Sequence, residues 1–248
     1  MKANTCDLNT RPRPTPPSSD SLMNVDFDLV SLLLAESQFQ DLREYMSLAQ
    51  EFVVRKQRDF HERVDDHIAA NALEGDDRDE YYSSHEDDYD QLHSRFPRIV
   101  FSSTLLMACA SFESSLVDLC KGFERALPTP TPWLDRPVKD KGITRVATFL
   151  KGNFGICLSN YSHWDRVMIY FKVRDGLVHA DGDLSNMRPK QATLIREKAD
   201  LVDLEIINGR LVIGHKFVSA VIDDLGGIWP LLETACIQNE VVGPHYWP

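Results

Sequence analysis

The chain has 248 residues, a net charge of -11, 43% hydrophobic residues and 26% charged residues, which is ordinary for a soluble globular protein. Its five scattered cysteines, without a Cys-x-x-Cys pair, argue against a disulfide framework or a structural zinc and for a reducing compartment. The N-terminus has no apolar signal region, and no apolar run is expected to span a membrane. We therefore expect a cytoplasmic protein without a membrane partner.

The charge is unevenly distributed along the chain. Residues 1–100 carry 11 Lys and Arg against 21 Asp and Glu, whereas residues 101–248 carry 16 against 17. Within 139–198 the balance is 11 basic against 6 acidic residues, so this segment is locally positive. Because a local positive field can attract phosphates, an overall acidic chain does not exclude nucleic acid as a ligand.

The N-terminal part of the chain predicts a tail followed by a long helical hairpin. Residues 1–22 are rich in Pro and Ser, and we expect them to be disordered. Apolar residues at helical spacing predict one helix over about 26–73 and a second over about 79–127. The resulting antiparallel hairpin, 23–94, has a tip at 74–90 with nine acids and one arginine. A solvated helix end is the simpler interpretation of that tip; a docking site for a basic partner is the alternative.

The remainder of the chain predicts shorter elements. Four helices are expected, over about 142–151, 162–180, 193–203 and 217–239. Between the last two, residues 204–213 predict a β-hairpin, because Asn208-Gly209 supplies the positive φ angles of a type I′ turn. The predicted fold class is therefore all-α: a helical bundle with a long N-terminal antiparallel hairpin and one small β-hairpin near the C-terminus.

The sequence Arg174-Asp175-Gly176-Leu177-Val178-His179, near the end of the helix at 162–180, is the strongest functional signal. Arginine can bind a phosphate with two hydrogen bonds, and histidine can transfer a proton near neutral pH. The bare spacing is unspecific, since it recurs at Arg210 and His215, where the predicted hairpin gives the side chains no reason to converge. Phosphate binding by the arginine and proton transfer by the histidine would together suit RNA cleavage without a metal.

A helical wheel indicates an unusual environment for this motif. With Trp164 at zero, one predicted core stripe within about 60° comprises Trp164, Val167, Met168, Phe171 and Val178. Asp175 falls near the centre of that stripe, and Arg174 and His179 fall on its two shoulders. Charged groups persist on such a face only if they are paired, hydrated by a cleft or functional.

Two carboxylates are candidates to support the motif. Asp175 and His179 are four residues apart on the helix, so their side chains could touch and fix the imidazole tautomer. Glu113 lies among apolar residues on the second long helix and could reach the same cleft to orient Arg174 or His179. The alternative is a purely structural network in which Asp175 pairs with Arg174 or His179 and nothing reacts.

Two further interpretations concern other residues. A metal could be bound by His61, Asp65, Asp66 and His67, or by His85 with Glu86, although acids near histidines are unsurprising in so acidic a stretch. Alternating aromatic and basic residues could bind RNA passively; they are Trp164, Arg166, Tyr170, Lys172 and Arg174.

The motif and its surroundings resemble the HEPN superfamily of small α-helical domains, many of which are RNases in toxin–antitoxin, antiphage and RNA-processing systems. The likeness covers about 95–240 and includes the Arg174–His179 motif and the exit Ala180–Leu184. It also includes Leu105–Cys120, with its Phe-Glu pair, and the connecting helix Lys141–Leu150. Position 175 is Asp where Asn is commoner, and no Tyr stands two residues after His179.

The resemblance implies a homodimer in which two motif helices form one composite site. Arg174 would hold the scissile phosphate and His179 would act as general acid or base, supported by Asp175 and Glu113. RNA would be the substrate, no metal or other cofactor would be needed, and an antitoxin or defence-system protein would be a further partner. A second class of hypothesis is a noncatalytic helical module for dimerisation or for partner or RNA binding; full burial and mutual pairing of Arg174 and His179 would favour it.

Overall fold

The computed structural model describes residues 22–125 and 142–238, with the side chains of 31–124 and 142–236. The predicted N-terminal tail lies outside the described residues except for Leu22, which begins the first helix. The predicted fold class is confirmed: the described residues are mostly helical, with one two-stranded antiparallel hairpin near the C-terminus.

The N-terminal helices form the predicted hairpin. The elements are α1 (Leu22–Ala70), α2 (Gly75–Ser84), α3 (Glu86–Asp90), a π-helical stretch (Gln91–Arg95) and α4 (Phe96–Arg125). The predicted second helix is not continuous. It is interrupted at His85, and it has the wider π-helical geometry over Gln91–Arg95, just before Pro97. A proline ring crowds the carbonyl four residues earlier, and a wider π turn accommodates it.

Contacts along this hairpin run in antiparallel order. Phe52 packs edge-on against Phe96 with 5.9 Å between ring centroids, and Gln57 Nε2 donates to the Leu92 carbonyl at 3.2 Å. Nearer the tip, the rings of His67 and Tyr81 stack at 4.3 Å. As the residue number rises on α1, that of its partner falls, which is the geometry of an antiparallel pair.

The acidic tip is largely surrounded by solvent. Neither α2 nor α3 has a buried residue. Acids lie in the first turn of each, where the positive end of the helix dipole favours them. A solvated helix end accounts for the composition of this segment.

The C-terminal elements follow the predicted order. They are α5 (Gly142–Phe154), α6 (Trp164–Ala180), α7 (Pro189–Lys198), β1 (Glu205–Ile207), β2 (Arg210–Val212), α8 (His215–Gly226) and α9 (Ile228–Gln238). Asn208 and Gly209 have φ angles of 49° and 77°, as the type I′ turn requires, and Ile206 pairs with Leu211. The single last helix predicted from the sequence is divided into α8 and α9 at Gly227, where glycine is a poor helix former.

The described residues form two compact units that do not follow chain order. The first comprises 22–39, 110–125, 142–167 and 224–238, and the second comprises 40–109 and 168–223. The expected domain boundary near residue 95 falls inside the second unit. Arg174, Asp175 and His179 belong to the second unit, and Glu113 belongs to the first.

Each unit has its own aromatic packing. In the first, Phe112 packs edge-on against Phe39 at 6.2 Å and against Trp229 at 5.3 Å, and all three rings are buried. In the second, Tyr170 packs edge-on against Phe217 at 5.7 Å, and both are buried. Edge-to-face pairs of this kind add about 0.5–1.5 kcal/mol to the burial of the rings.

Among the described residues, one helical stretch, Glu86–Glu124, is long and apolar enough by composition to cross a membrane, which by itself is weak evidence for a span. Core helices of soluble proteins meet the same criterion, and Leu105, Phe112 and Leu116 of this stretch are fully buried in the protein. Of the cysteines in the described residues, Cys109, Cys120 and Cys236 are buried free thiols, as expected of small core residues. Cys157 is disulfide-bonded, contrary to the expectation from the scattered cysteines.

Candidate functional site

Helix α6, which carries the Arg174–His179 motif, is buried on several sides over its first three turns. Trp164, Val167, Tyr170 and Val173 follow one another at three-residue steps and are all buried. Ile169 and Phe171 are also buried, although they project in other directions.

The wheel prediction holds for the start of α6 and is wrong for its end. Trp164, Val167 and Phe171 are buried as expected, but Val178, assigned to the same stripe, is half exposed. From Val173 onward the buried positions are Gly176 and Ala180, on the opposite side of the helix. The motif side chains therefore lie on the more exposed face, and Asp175 does not interrupt a core stripe.

Two members of the motif form an ion pair. Arg174 Nη1 donates to Asp175 Oδ1 at 3.0 Å, with side-chain exposures of 32% and 40%. His179 is exposed and makes no hydrogen bond or ion pair with any described residue. The predicted contact between Asp175 and His179 is thus not formed, because the carboxylate pairs with the adjacent guanidinium. Arg174 and His179 are neither fully buried nor paired with each other.

The back of the motif is closely packed against α7 and the segment before it. Gly176 is buried, and a Cβ added there would lie 2.5 Å from Met187 Cε. Gln191 Nε2 donates to the Lys172 carbonyl at 2.8 Å. One side of the motif therefore packs against Met187 and α7, while the side chain of His179 stays exposed.

The predicted supporting carboxylate, Glu113, lies in the first compact unit. Its Oε1 is 3.0 Å from the position that a Cβ on Gly142 would take, at the start of α5. Gly142 has a φ of 56°, so two constraints favour glycine there. A role for Glu113 in orienting Arg174 or His179 stays a prediction.

Local contacts bear on the two other hypotheses from the sequence, a metal site in the hairpin and passive RNA stacking on α6. The ring of His61 lies 5.1 Å from that of His93, and Tyr82 donates to Asp65 at 3.2 Å. In the described parts of the chain, no three His, Cys, Asp or Glu side chains are grouped as a metal site would require. The passive RNA-stacking hypothesis is wrong for Trp164 and Tyr170, because both rings are buried.

The second Arg-x4-His match does not form a site of this kind. Arg210 Nη2 donates to Asp181 Oδ2 at 2.7 Å, whereas His215 Nε2 lies 3.4 Å from Ser219 Oγ. As expected, the two side chains are engaged separately. His215 instead lines a cavity of about 220 Å³ together with Arg43, Met46, Ser47, Ser219, Ile222 and Asp223.

A charged cluster that the sequence gave no reason to expect lies in the first unit. His163 Nδ1 is 2.6 Å from Asp224 Oδ1, and Arg166 Nε donates to Asp224 Oδ2 at 2.9 Å. The Asp224 side chain is 6% exposed, whereas that of His163 is 52% exposed. These partners are about sixty positions apart in the chain, and the only local signal was an acid, Asp224, on an otherwise apolar helix face.

No protein-family model matches this chain, and neither a curated protein nor a solved structure matches it. The resemblance to the HEPN superfamily therefore depends on the residues of the motif and its neighbouring helices. The geometry of Arg174, Asp175 and His179 is therefore the basis for a functional proposal.

Proposed function

We propose that the chain is a metal-independent endoribonuclease of the HEPN type, acting in the cytoplasm in a toxin or antiphage role. The observation that carries the proposal is the accessibility of His179 and the partial accessibility of Arg174 near the end of one helix, α6. None of the described residues hydrogen-bonds to His179, so its imidazole is available to a ligand. The locally basic segment 139–198 supports attraction of a polyanion.

The proposed reaction needs only groups of the protein and the substrate. His179 acts as general base on the ribose 2′-hydroxyl or as general acid on the leaving 5′-oxygen, and water accepts or supplies the other proton. The 2′-oxygen attacks phosphorus, the bond to the 5′-oxygen breaks, and the products are a 2′,3′-cyclic phosphate and a 5′-hydroxyl. Arg174 stabilises the charge on the pentacoordinate phosphorus. Because the nucleophile belongs to the substrate, no metal-bound water is required.

Helical geometry favours a site shared by two copies of the chain. Arg174 and His179 are five residues apart, which separates them by about 140° around the axis of α6. An arginine of one protomer and a histidine of its partner can approach one phosphate from two sides. Exposed apolar side chains near the end of α6 suit such an association: Val178 itself, and Ile99, adjacent to Arg98, which pairs with Asp181 at 2.6 Å.

The ion pair of Arg174 with Asp175 favours a second candidate function, a noncatalytic HEPN-like module that dimerises or binds a partner or RNA. A carboxylate that already holds the guanidinium at 3.0 Å competes with a substrate phosphate. In this alternative the motif only supports the fold, and the helical hairpin is the surface that binds the partner. The two functions differ in whether RNA is cut.

Cleavage of RNA by the purified protein in EDTA tests the proposal. We expect the wild-type chain to cut RNA and to leave 2′,3′-cyclic phosphate ends, detected by mass spectrometry of the products. Arg174→Ala and His179→Ala should each lower the rate by about 10²-fold or more, as for the loss of a general acid–base or charge-stabilising group. His215→Ala is the matched control, since it belongs to the other Arg-x4-His match, and it should cleave normally.

A mixture of the two inactive variants separates a composite site from a site within one protomer. If Arg174 of one copy acts with His179 of the other, co-refolded Arg174→Ala and His179→Ala chains regain part of the activity. Intact RNA with the wild type, or cleavage that survives both substitutions, contradicts the endoribonuclease proposal. Growth arrest on expression of the wild type, relieved by His179→Ala, would support the toxin role.

A further inference from the structure

Two arginines converge on one residue directly after the motif helix. Arg98 Nη2 donates to Asp181 Oδ1 at 2.6 Å and to its carbonyl oxygen at 3.1 Å. Arg210 Nη2 donates to Asp181 Oδ2 at 2.7 Å and to the same carbonyl at 3.1 Å. The two guanidinium groups, from α4 and β2, therefore form a built anion site that the chain's own carboxylate occupies.

This anion site is firmly attached to the end of the motif helix. Asp181 N–H donates to the Leu177 carbonyl at 3.1 Å, and Gly182 N–H donates to the Gly176 carbonyl at 3.2 Å. Leu211 N–H donates to the Gly182 carbonyl at 2.8 Å, which ties β2 to the same turn. Asp181 stands two residues after His179 in the chain and directly follows the last residue of α6.

The carboxylate occupies this site at little energetic advantage. Asp181 is largely exposed, and both arginine side chains are nearly half exposed. Exposed ion pairs contribute little to stability, so a ligand with several charges can displace one at small cost. Hydrogen bonding from Arg98, more than from Arg210, lowers the pKa of Asp181, so the carboxylate is ionised throughout the neutral range.

Each guanidinium also keeps donors for a larger anion. A guanidinium has five N–H groups, and both arginines use Nη2 for Asp181. In the described part of the chain, Arg98 makes no other hydrogen bond, and Arg210 has one longer ion pair, from Nη1 to Asp183 Oδ2 at 3.6 Å. Forked donors on two sides of one position can bind the paired oxygens of a phosphodiester as well as those of a carboxylate.

We propose that Arg98 and Arg210 bind a backbone phosphate of single-stranded RNA beside the scissile linkage, and that the Asp181 carboxylate occupies this position until RNA displaces it. The inference rests on the proposed endoribonuclease function, for which it supplies a substrate-binding site. Phosphate contacts of this type position a nucleic acid without reading its sequence. The site would therefore position the RNA strand relative to α6, and it would not select which base is cleaved.

Binding of a fluorescent single-stranded RNA to the His179→Ala protein, followed by anisotropy at several salt concentrations, tests this site without cleavage. Arg98→Ala and Arg210→Ala should each weaken binding by roughly tenfold, the equivalent of one charge-assisted contact, and should make the salt dependence shallower. Arg98→Lys and Arg210→Lys keep the charge but lose the fork, so they should retain only part of the affinity. Arg58→Ala, which removes an exposed arginine of the hairpin, is the matched control and should change little.

Substitution of Asp181 should change RNA affinity in the opposite direction to substitution of the arginines. Asp181→Asn should tighten binding because it removes the competing carboxylate, whereas Asp203→Asn, at another exposed ion-paired acid, should not. Equal affinities of the Arg98→Ala, Arg210→Ala and Arg58→Ala proteins would overturn the phosphate site even if the wild type cleaves RNA. Selective loss of binding with an inactive wild type would overturn the catalytic proposal and leave the phosphate site standing.

Discussion

Two groups of arginine, histidine and aspartate lie near opposite ends of α6, and they differ in burial. In the first unit, His163 and Arg166 both contact the buried carboxylate of Asp224. In the second unit, Arg174 pairs with the half-exposed Asp175, while His179 is exposed. The same three residue types are therefore committed to structure at one end of the helix and accessible to a ligand at the other.

The difference shows that burial of the carboxylate distinguishes the two groups better than spacing does. A buried anion is costly unless its partners compensate it, so Asp224 requires Arg166 and His163 where they are. Asp175 is hydrated, and it can release Arg174 to a phosphate at small cost. We accordingly assign a structural role to the cluster around Asp224 and a chemical role to the motif.

The largest expected effect on stability is at Asp224. Asp224→Ala should lower the free energy of unfolding by about 2–3 kcal/mol, because it leaves Arg166 and His163 without their buried partner. The exposed faces of His163 and Arg166 keep the loss below that of a fully buried pair. Urea denaturation followed by circular dichroism measures the change.

The neighbouring Asp223 is the matched control for that substitution. It pairs with Arg43 at 2.8 Å, but its side chain is 63% exposed. Asp223→Ala should therefore cost less than about 1 kcal/mol. Equal losses at the two positions would remove the distinction between a structural and an accessible cluster.

Elements defined by local chemistry could be predicted from the sequence. Asn208-Gly209 specified the β-hairpin turn, and the apolar periodicity of α1 and α4 specified the long helical hairpin. The interruptions at His85 and Gly227 were not foreseen, because each is a small local departure within a strong helical pattern.

The environment of the motif was less predictable because it depends on distant contacts. A helical wheel assumes one packed face, whereas α6 is enclosed on several sides as far as Val173 and then only on the side of Gly176 and Ala180. The exposure of Val178 follows from that change of face. The pairing of His163 with Asp224 could not be predicted, since nothing local connects two residues so far apart in sequence.

His93, in the helical hairpin, should make the stability of the protein depend on pH, with an effect smaller than that of Asp224→Ala. Burial, with a smaller contribution from nearby His61, lowers the pKa of His93 below its usual value of 6.5. The folded state thus binds fewer protons than the unfolded state, so stability is complete above pH 6.5 and falls as the pH drops below it. Thermal unfolding between pH 7.5 and 5 should show a decreasing melting temperature.

His61→Gln is the variant that isolates this pair, because it removes the neighbouring charge and leaves the burial of His93 largely unchanged. Its melting temperature should depend less on pH than that of the wild type, and Asp224→Ala should not reproduce this change. An identical pH dependence in the wild type and His61→Gln would show that repulsion between the two imidazoles contributes nothing to stability.

The smallest expected effect on stability is at His179, and it is the most informative for the comparison. His179→Ala removes an exposed side chain without a partner among the described residues, so the free energy of unfolding should change by no more than about 0.5 kcal/mol. If the same substitution abolishes RNA cleavage, the histidine is retained for chemistry, because the fold does not need it. A loss comparable to that of Asp224→Ala would place His179 in the structural class and favour the noncatalytic module.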